Sequence, residues 1–191
     1  MTIKRKLISL IVGVAIILVV RYLWTGRADY QVEPSQNALL ERVTGQAAIE
    51  KLFGGKHAVA TVARPDKVEV YRIDPNSERS GNSTLDEFRI ASGPIEAPRD
   101  IATRLSTLLA SPESYWNNPP ACVPMYGVRL TFERARDRVD VLLCLECDES
   151  LIFRNRRFVG YGFFFYSHDS LVQVVQELYP DDKGIQSLKL R

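Results

Sequence analysis

From Leu7 to Val20 the chain runs through fourteen residues without a charge, and Ser9 is the one polar side chain among them. Arg21 interrupts the run and Tyr22-Leu23-Trp24 resumes it. As a helix, the eighteen residues Leu7–Trp24 measure roughly 27 Å, about one hydrocarbon thickness. Lys4, Arg5 and Lys6 precede the run and mark the cytoplasmic side, so the residues C-terminal to it should lie outside the cytoplasm. Arg21 stands where its stem can lie in lipid while its guanidinium reaches the headgroups, and Tyr22 and Trp24 are rings that such an interface collects. The pattern predicts a single-pass membrane anchor over residues 1–24, of the signal-anchor type, with the lipid bilayer as its partner. The alternative is a signal peptide removed near Ala28, because Gly26 and Ala28 are small residues at the positions a peptidase reads. An unbroken apolar run leaves no polar face for water, which argues against a buried helix of a soluble domain.

Beyond the anchor the pattern becomes that of a folded domain. Residues 25–34 read as a polar linker, and residues 35–191 as one extracytoplasmic domain. Ser35 looks like a helix cap, with Leu39, Leu40, Val43, Ala47, Leu52 and Phe53 at roughly helical spacing until Gly54-Gly55 stops them. His57–Ala63 and Lys67–Ile73 read as strands, and a turn-rich loop spans Asp74 to Thr84. A short strand over Glu87–Ala91 follows, then a helix from about Pro98 with Ile101, Leu105, Leu108 and Leu109 on one stripe. Val128, Leu130 and Phe132 alternate with polar residues, and Val139, Val141, Leu143 and Leu145 continue the same face across a turn near Ala135-Arg136. Leu151–Phe153 and Phe158-Val159 flank Asn155-Arg156 as a second hairpin. A last helix over about His168–Leu178 turns Leu171, Val174, Val175 and Leu178 inward, with Ser167 and Asp169 as caps, and Pro180 ends it. Strands in runs with helices between and after them predict an α+β fold with a mostly antiparallel sheet and two to three helices.

Composition changes this picture in one respect. The 191 residues hold 25 Lys plus Arg and 23 Asp plus Glu, a formal net charge of +2 with a sequence pI near 8.4. Four of those cations are Lys4, Arg5, Lys6 and Arg21, and no acid precedes residue 25, so residues 25–191 carry 21 cations against 23 acids. The basic balance is thus a topology signal, and nucleic acid is not expected as a partner. Seven arginines between Arg129 and Arg157 face six acids in the same interval, which predicts a solvated sheet face with cross-strand charge pairs.

Cys122, Cys144 and Cys147 are the residues that suggest special chemistry. Pairing Leu130 with Val141 and extending the ladder places Pro124 opposite Cys147 and Cys122 opposite Glu149, so Cys122 and Cys147 share a face and Cys144 points to the other. In an exported protein this predicts a Cys122–Cys147 disulfide and a buried Cys144 thiol. Two alternatives stand beside it. Three cysteines with His57 or His168 could complete a zinc site. Cys144-Leu-Glu-Cys147 has the spacing of thiol oxidoreductases, although it ends a strand where those proteins begin a helix, and Asp148-Glu149 would raise its thiol pKa.

Ser111-Pro-Glu-Ser-Tyr-Trp116, Cys122-x-Pro124-x-x-Gly127-Val-Arg-Leu-Thr-Phe132 and Val139-Asp-Val-Leu-Leu-Cys-Leu-Glu-Cys-Asp148 resemble an uncharacterised bacterial family. Its members carry a cysteine-proline element, a short hairpin and a Leu-Cys-x-x-Cys strand, and close on a segment like Leu178-Tyr-Pro180-Asp-Asp with Ile185-Gln-Ser-Leu188. The likeness covers residues 105–188 and implies a related fold, with no activity attached to it. Where those sequences have a hairpin glycine near Asn155, this one has none.

Other candidates carry less. Gly54-Gly55-Lys56 lacks the spacing and hydroxyl of a phosphate loop, and Asn82-Ser-Thr84 is a glycosylation sequon only in a eukaryotic secretory route. A Cys144–His168 nucleophile pair has no feature that brings it together. Phe163-Phe-Phe-Tyr166 is expected to pack under the last helix, with a partner or membrane contact as the other possibility. The reading is a membrane-anchored binding or structural module rather than an enzyme, without a cofactor and with no catalytic residues assigned. Its alternative is a zinc-binding or thiol-redox-responsive domain built on the three cysteines.

Overall fold

The computed structural model describes residues 45–77, 84–116, 119 and 121–191. The predicted anchor, the linker and the first half of the predicted 35–53 helix lie outside them. In chain order, α1 is Gln46–Leu52, α2 Lys56–Ala63, β1 Lys67–Ile73, β2 Ile90–Glu96 and α3 Arg99–Ala110. Then come β3 Val128–Arg134, β4 Asp137–Cys144, β5 Glu149–Arg154, β6 Arg157–Phe163, α4 His168–Leu178 and the short α5 Lys183–Gln186. The strands form one antiparallel sheet in the order β2-β1-β3-β4-β5-β6. The fold is α+β, and among the described residues no helix is long and apolar enough to cross a membrane.

Alternation builds the central strands. Val128, Leu130 and Phe132 point to one face with Val139, Val141 and Leu143, Leu130 facing Val141 in the ladder. The helices cover that face, contributing Val59 and Val62 from α2, Leu105 and Leu109 from α3, and Leu171 and Val175 from α4 to one buried cluster. The opposite face is divided. At one end Leu142, Cys144, Phe153 and Ile73 form a second, smaller core, roofed by Leu85, Phe88, Tyr126 and Cys147 from the connecting segments. At the other end it is polar, and Asp140 is fully buried there. Asp140 accepts hydrogen bonds from Arg129 (3.0 Å), Thr131 (2.7 Å) and Arg138 (3.1 Å), while the Arg129 guanidinium lies 4.9 Å from the Tyr71 ring centroid. The cross-strand charge pairs are present, but their centre is buried rather than solvated.

Three elements differ from expectation. His57–Ala63 is helical, not a strand. The residues it buries are Ala58, Val59, Thr61 and Val62, a helical recurrence that a run mixing Ala with two valines does not separate from a short apolar strand. Gly54 and Gly55, at φ of 76° and 121°, end α1 and open α2 with no intervening strand. The expected Glu87–Ala91 strand is instead a tight turn at Leu85–Glu87 followed by β2 from Ile90, because Leu85 and Phe88 are drawn into the second core. The cap of α4 also differs. Ser167 makes no side-chain cap bond, and Asp169 accepts from the Arg191 backbone N–H at 2.8 Å instead.

Candidate functional site

The structure joins Cys122 and Cys147 in a disulfide, with their Cα atoms 6.0 Å apart, and leaves Cys144 as a buried thiol. The route to that pairing is not the extended ladder the register implied. β3 begins at Val128 and β4 ends at Cys144, so neither Pro124–Cys147 nor Cys122–Glu149 becomes a ladder pair. A turn over residues 145–148 lifts Cys147 over the sheet, and the segment 121–127 comes down to meet it. Cys144 lies on the face opposite Leu143, within the second core, and its sulfur accepts the Met125 backbone N–H at 3.2 Å. Burial pushes its thiol up, against backbone hydrogen bonds from Met125, Cys147 and Glu146 that favour the thiolate. Burial wins, which makes it a poor nucleophile at neutral pH.

The turn beyond Cys147 brings two further buried ionisable groups together, Asp148 and His168. Asp148, at φ 55°, turns its carboxylate inward to His168 Nδ1 at 2.6 Å and to the Arg191 guanidinium. His168 Nε2 lies 2.9 Å from the Lys189 carbonyl oxygen. Both ring nitrogens thus face oxygen atoms, which leaves neither nitrogen free to bind a metal or move a substrate proton. His168 holds residues 189–191 against the domain. His57 is exposed on α2, across the sheet from the disulfide. Among the described residues, no group of three or more His, Cys, Asp and Glu side chains is placed to hold a metal ion.

The surroundings of the disulfide are aromatic. A cavity of about 220 Å³ is lined by Trp116, Cys122, Cys147, Phe163, Phe165 and Arg191. Trp116 is brought there by a bridge to Phe163, its backbone N–H donating to the Phe163 carbonyl at 2.7 Å. Its ring centroid lies 5.3 Å from Phe165 and 6.3 Å from Tyr166, and Tyr161 continues the row 5.7 Å from Phe163. The Arg191 guanidinium sits 5.6 Å from the Phe165 centroid. The Phe163–Tyr166 run therefore divides. Phe163 and Phe164 are buried, whereas Phe165 and Tyr166 remain 43% and 48% exposed, with Tyr161 at 51%.

Sequence reasoning does not assign Trp116 and Arg191 to this region, and it does not join Asp148 to His168. The Phe-Phe-Phe-Tyr run is the available signal. It cannot reveal that β6 ends at Phe163 and that a tight turn over Phe165–Ser167 then carries two rings outward. Compared with known proteins, the chain matches no family model, no curated protein and no solved structure.

Proposed function

We propose that this chain is a single-pass membrane protein that displays a disulfide-braced α+β module outside the cytoplasm, and that the module works by binding or as a structural element rather than by catalysis. The observation that carries this reading is the Cys122–Cys147 disulfide beside an aromatic cavity. A disulfide that closes a 25-residue separation persists in oxidising compartments and is rare in the cytosol, which accords with export by the apolar segment Leu7–Trp24. Binding is favoured over catalysis because the groups near the cavity that could move protons or attack a substrate are otherwise engaged. Asp148 is shared by His168 and Arg191, His168 spans a carboxylate and a carbonyl, and Cys144 is buried with its pKa raised.

The alternative, a zinc or thiol-redox domain, draws on one specific observation, the backbone N–H groups gathered at the Cys144 sulfur. Thiol counting with elemental analysis on the full chain, purified from membranes without reductant, separates the two. One thiol reactive only after denaturation, two more after reduction, and no stoichiometric metal is the expected result. Three free thiols with one bound zinc, lost together with folding on chelation, overturns the proposal. The topology is tested by labelling reduced whole cells with an impermeant thiol reagent. Labelling of Cys122, the exposed cysteine of the pair, is expected, and labelling only after lysis overturns export.

A further inference from the structure

We propose that the cavity beside the disulfide is a recognition site for an arginine side chain, filled in this chain by its own Arg191 and open to the arginine of a partner segment. This rests on the reading of the domain as a binding module, and it names what the module takes.

Arg191 shows what the site selects. Its Nη1 donates to the Asp148 carboxylate and its Nη2 to the Glu146 backbone carbonyl at 3.3 Å, while the guanidinium carbon lies 5.6 Å from the Phe165 ring centroid. A carboxylate, a carbonyl and an aromatic ring around one cation suit a guanidinium better than an ammonium. The planar group sends donors out in fixed directions from its edge and lays its face on a ring. Glu146 and Asp148 are the acidic residues lining the cavity, and Arg191 is the one cation among its described lining residues. Without Arg191 the lining would carry negative charge alone.

The receptor half of this contact is fixed by the fold, and the arginine half is less so. The Asp148 side chain is 6% exposed and also meets His168 Nδ1 at 2.6 Å. Glu146 and Asp148 flank Cys147, which the disulfide pins to Cys122, and Phe165 stands just past the end of β6. The Arg191 side chain is 45% exposed. Its backbone is held by the bond from its N–H to Asp169 and, two residues earlier, by the Lys189 carbonyl at His168. A carboxylate as buried as Asp148 is costly to leave without a counterion, so a site that Arg191 vacates calls for another cation. A side chain on a short tether competes at an effective concentration of about a millimolar or more, which a bare guanidinium does not overcome. The extra contact comes from the rest of the cavity, about 220 Å³ that Trp116, Phe163 and the two cysteines also line. The occupant is therefore an arginine beside an apolar side chain, presented by a peptide segment.

Trp24 and Trp116 are the two tryptophans of the chain, so the full-length W24F variant in detergent micelles reports on Trp116 alone. The probe is acetyl-leucyl-arginine amide, and its citrulline counterpart has nearly the same shape without the charge. In W24F/R191A the arginine probe should change Trp116 emission saturably and raise the unfolding temperature, and the citrulline probe should do neither. W24F with Arg191 in place should bind the arginine probe roughly tenfold more weakly or worse, with W24F/R191K between the two. Adding D148N to W24F/R191A should abolish the response in a chain that still unfolds cooperatively. If R191A does not fold, R191K carries the same comparison. Equal affinity with and without Arg191 overturns the proposal, because the probe then binds elsewhere. An equal response to citrulline overturns it by removing charge from the recognition, and no response in a folded R191A or R191K chain overturns it outright. Thiol counts on the same samples keep the two readings apart: an intact disulfide with no arginine binding sinks the site alone, whereas three free thiols with bound zinc sink the wider reading as well.

Discussion

Asp140 is the residue on which the polar half of the sheet depends. It has no exposed surface, and the donors of Arg129, Thr131 and Arg138 converge on it. A buried carboxylate with two guanidiniums is stable only while each charge keeps its partner, and removing one charge of such a set costs about 3–5 kcal/mol. Asp140→Asn keeps the shape but removes the charge and turns an amide N–H toward a guanidinium. It should lower stability in urea by that amount. Glu133 meets the same Arg138 at 3.6 Å from an exposed position, and Glu133→Gln should cost less than about 1 kcal/mol. Equal losses from the two variants would mean that burial is not what makes Asp140 matter. The seven arginines and six acids of this interval are countable in the sequence. The burial of one acid among several donors is not visible there, because strand order, not composition, sets which charges meet.

At the scale of elements, two devices hold the β4–β6 half of the sheet. The first is the β5–β6 hairpin, whose turn residues Asn155 and Arg156 adopt φ of 47° and 67°. Asn tolerates that region, but a side chain such as Arg loses roughly 1 kcal/mol or more there, and Asn-Gly is the favoured pair for a turn of this kind. Arg156 gains only an exposed ion pair with Asp86, which offsets little. Arg156→Gly is expected to stabilise the domain by about 0.5–1 kcal/mol in chemical denaturation, and a loss of stability would show that the Asp86 contact outweighs the turn. The second device is the disulfide. Cys122→Ala/Cys147→Ala releases a loop of 25-residue separation and should cost about 3 kcal/mol. The fluorescence of Trp116 should respond with it, since the bond and the ring line one cavity. Cys144→Ala, measured beside it, removes a buried sulfur and leaves the bond intact, so thiol counts and not stability alone identify which cysteine is paired.

Over the whole molecule, the elements that alternate or carry a clear apolar stripe are legible in the sequence: β1, β3, β4, the β5–β6 hairpin and α4 lie where the pattern puts them. α2 is not legible, because a short run dominated by Ala, Val and Thr satisfies either period until the packing partner is known. The aromatic site is only partly legible, since it joins Trp116 to residues nearly fifty positions away and to Arg191 at the end of the chain. That closing segment is held at two points, at residues 189–191 by His168 and Asp148, and at Asp182 by Arg72. Arg72 Nε donates to Asp182 at 2.7 Å, and its Nη1 donates to the Gly127 carbonyl at 2.5 Å. The Arg72 guanidinium holds the Asp182 carboxyl below its ordinary value of 3.8. A carboxyl with a depressed folded pKa adds stability that is complete above its unfolded pKa, near 4, and is lost as pH falls through the lower, folded value. Arg72→Gln should therefore cost about 2 kcal/mol at pH 7, and the gap between the two proteins should narrow steadily below about pH 4. It should not close, because the bond to Gly127 is independent of pH. Other carboxyls held low by partners, Asp74 and Glu177 among them, destabilise both proteins alike in acid and cancel in the difference. A gap that stays constant from neutral pH to pH 2 would mean that Arg72 acts through Gly127 alone and that Asp182 contributes no charge to holding the end of the chain.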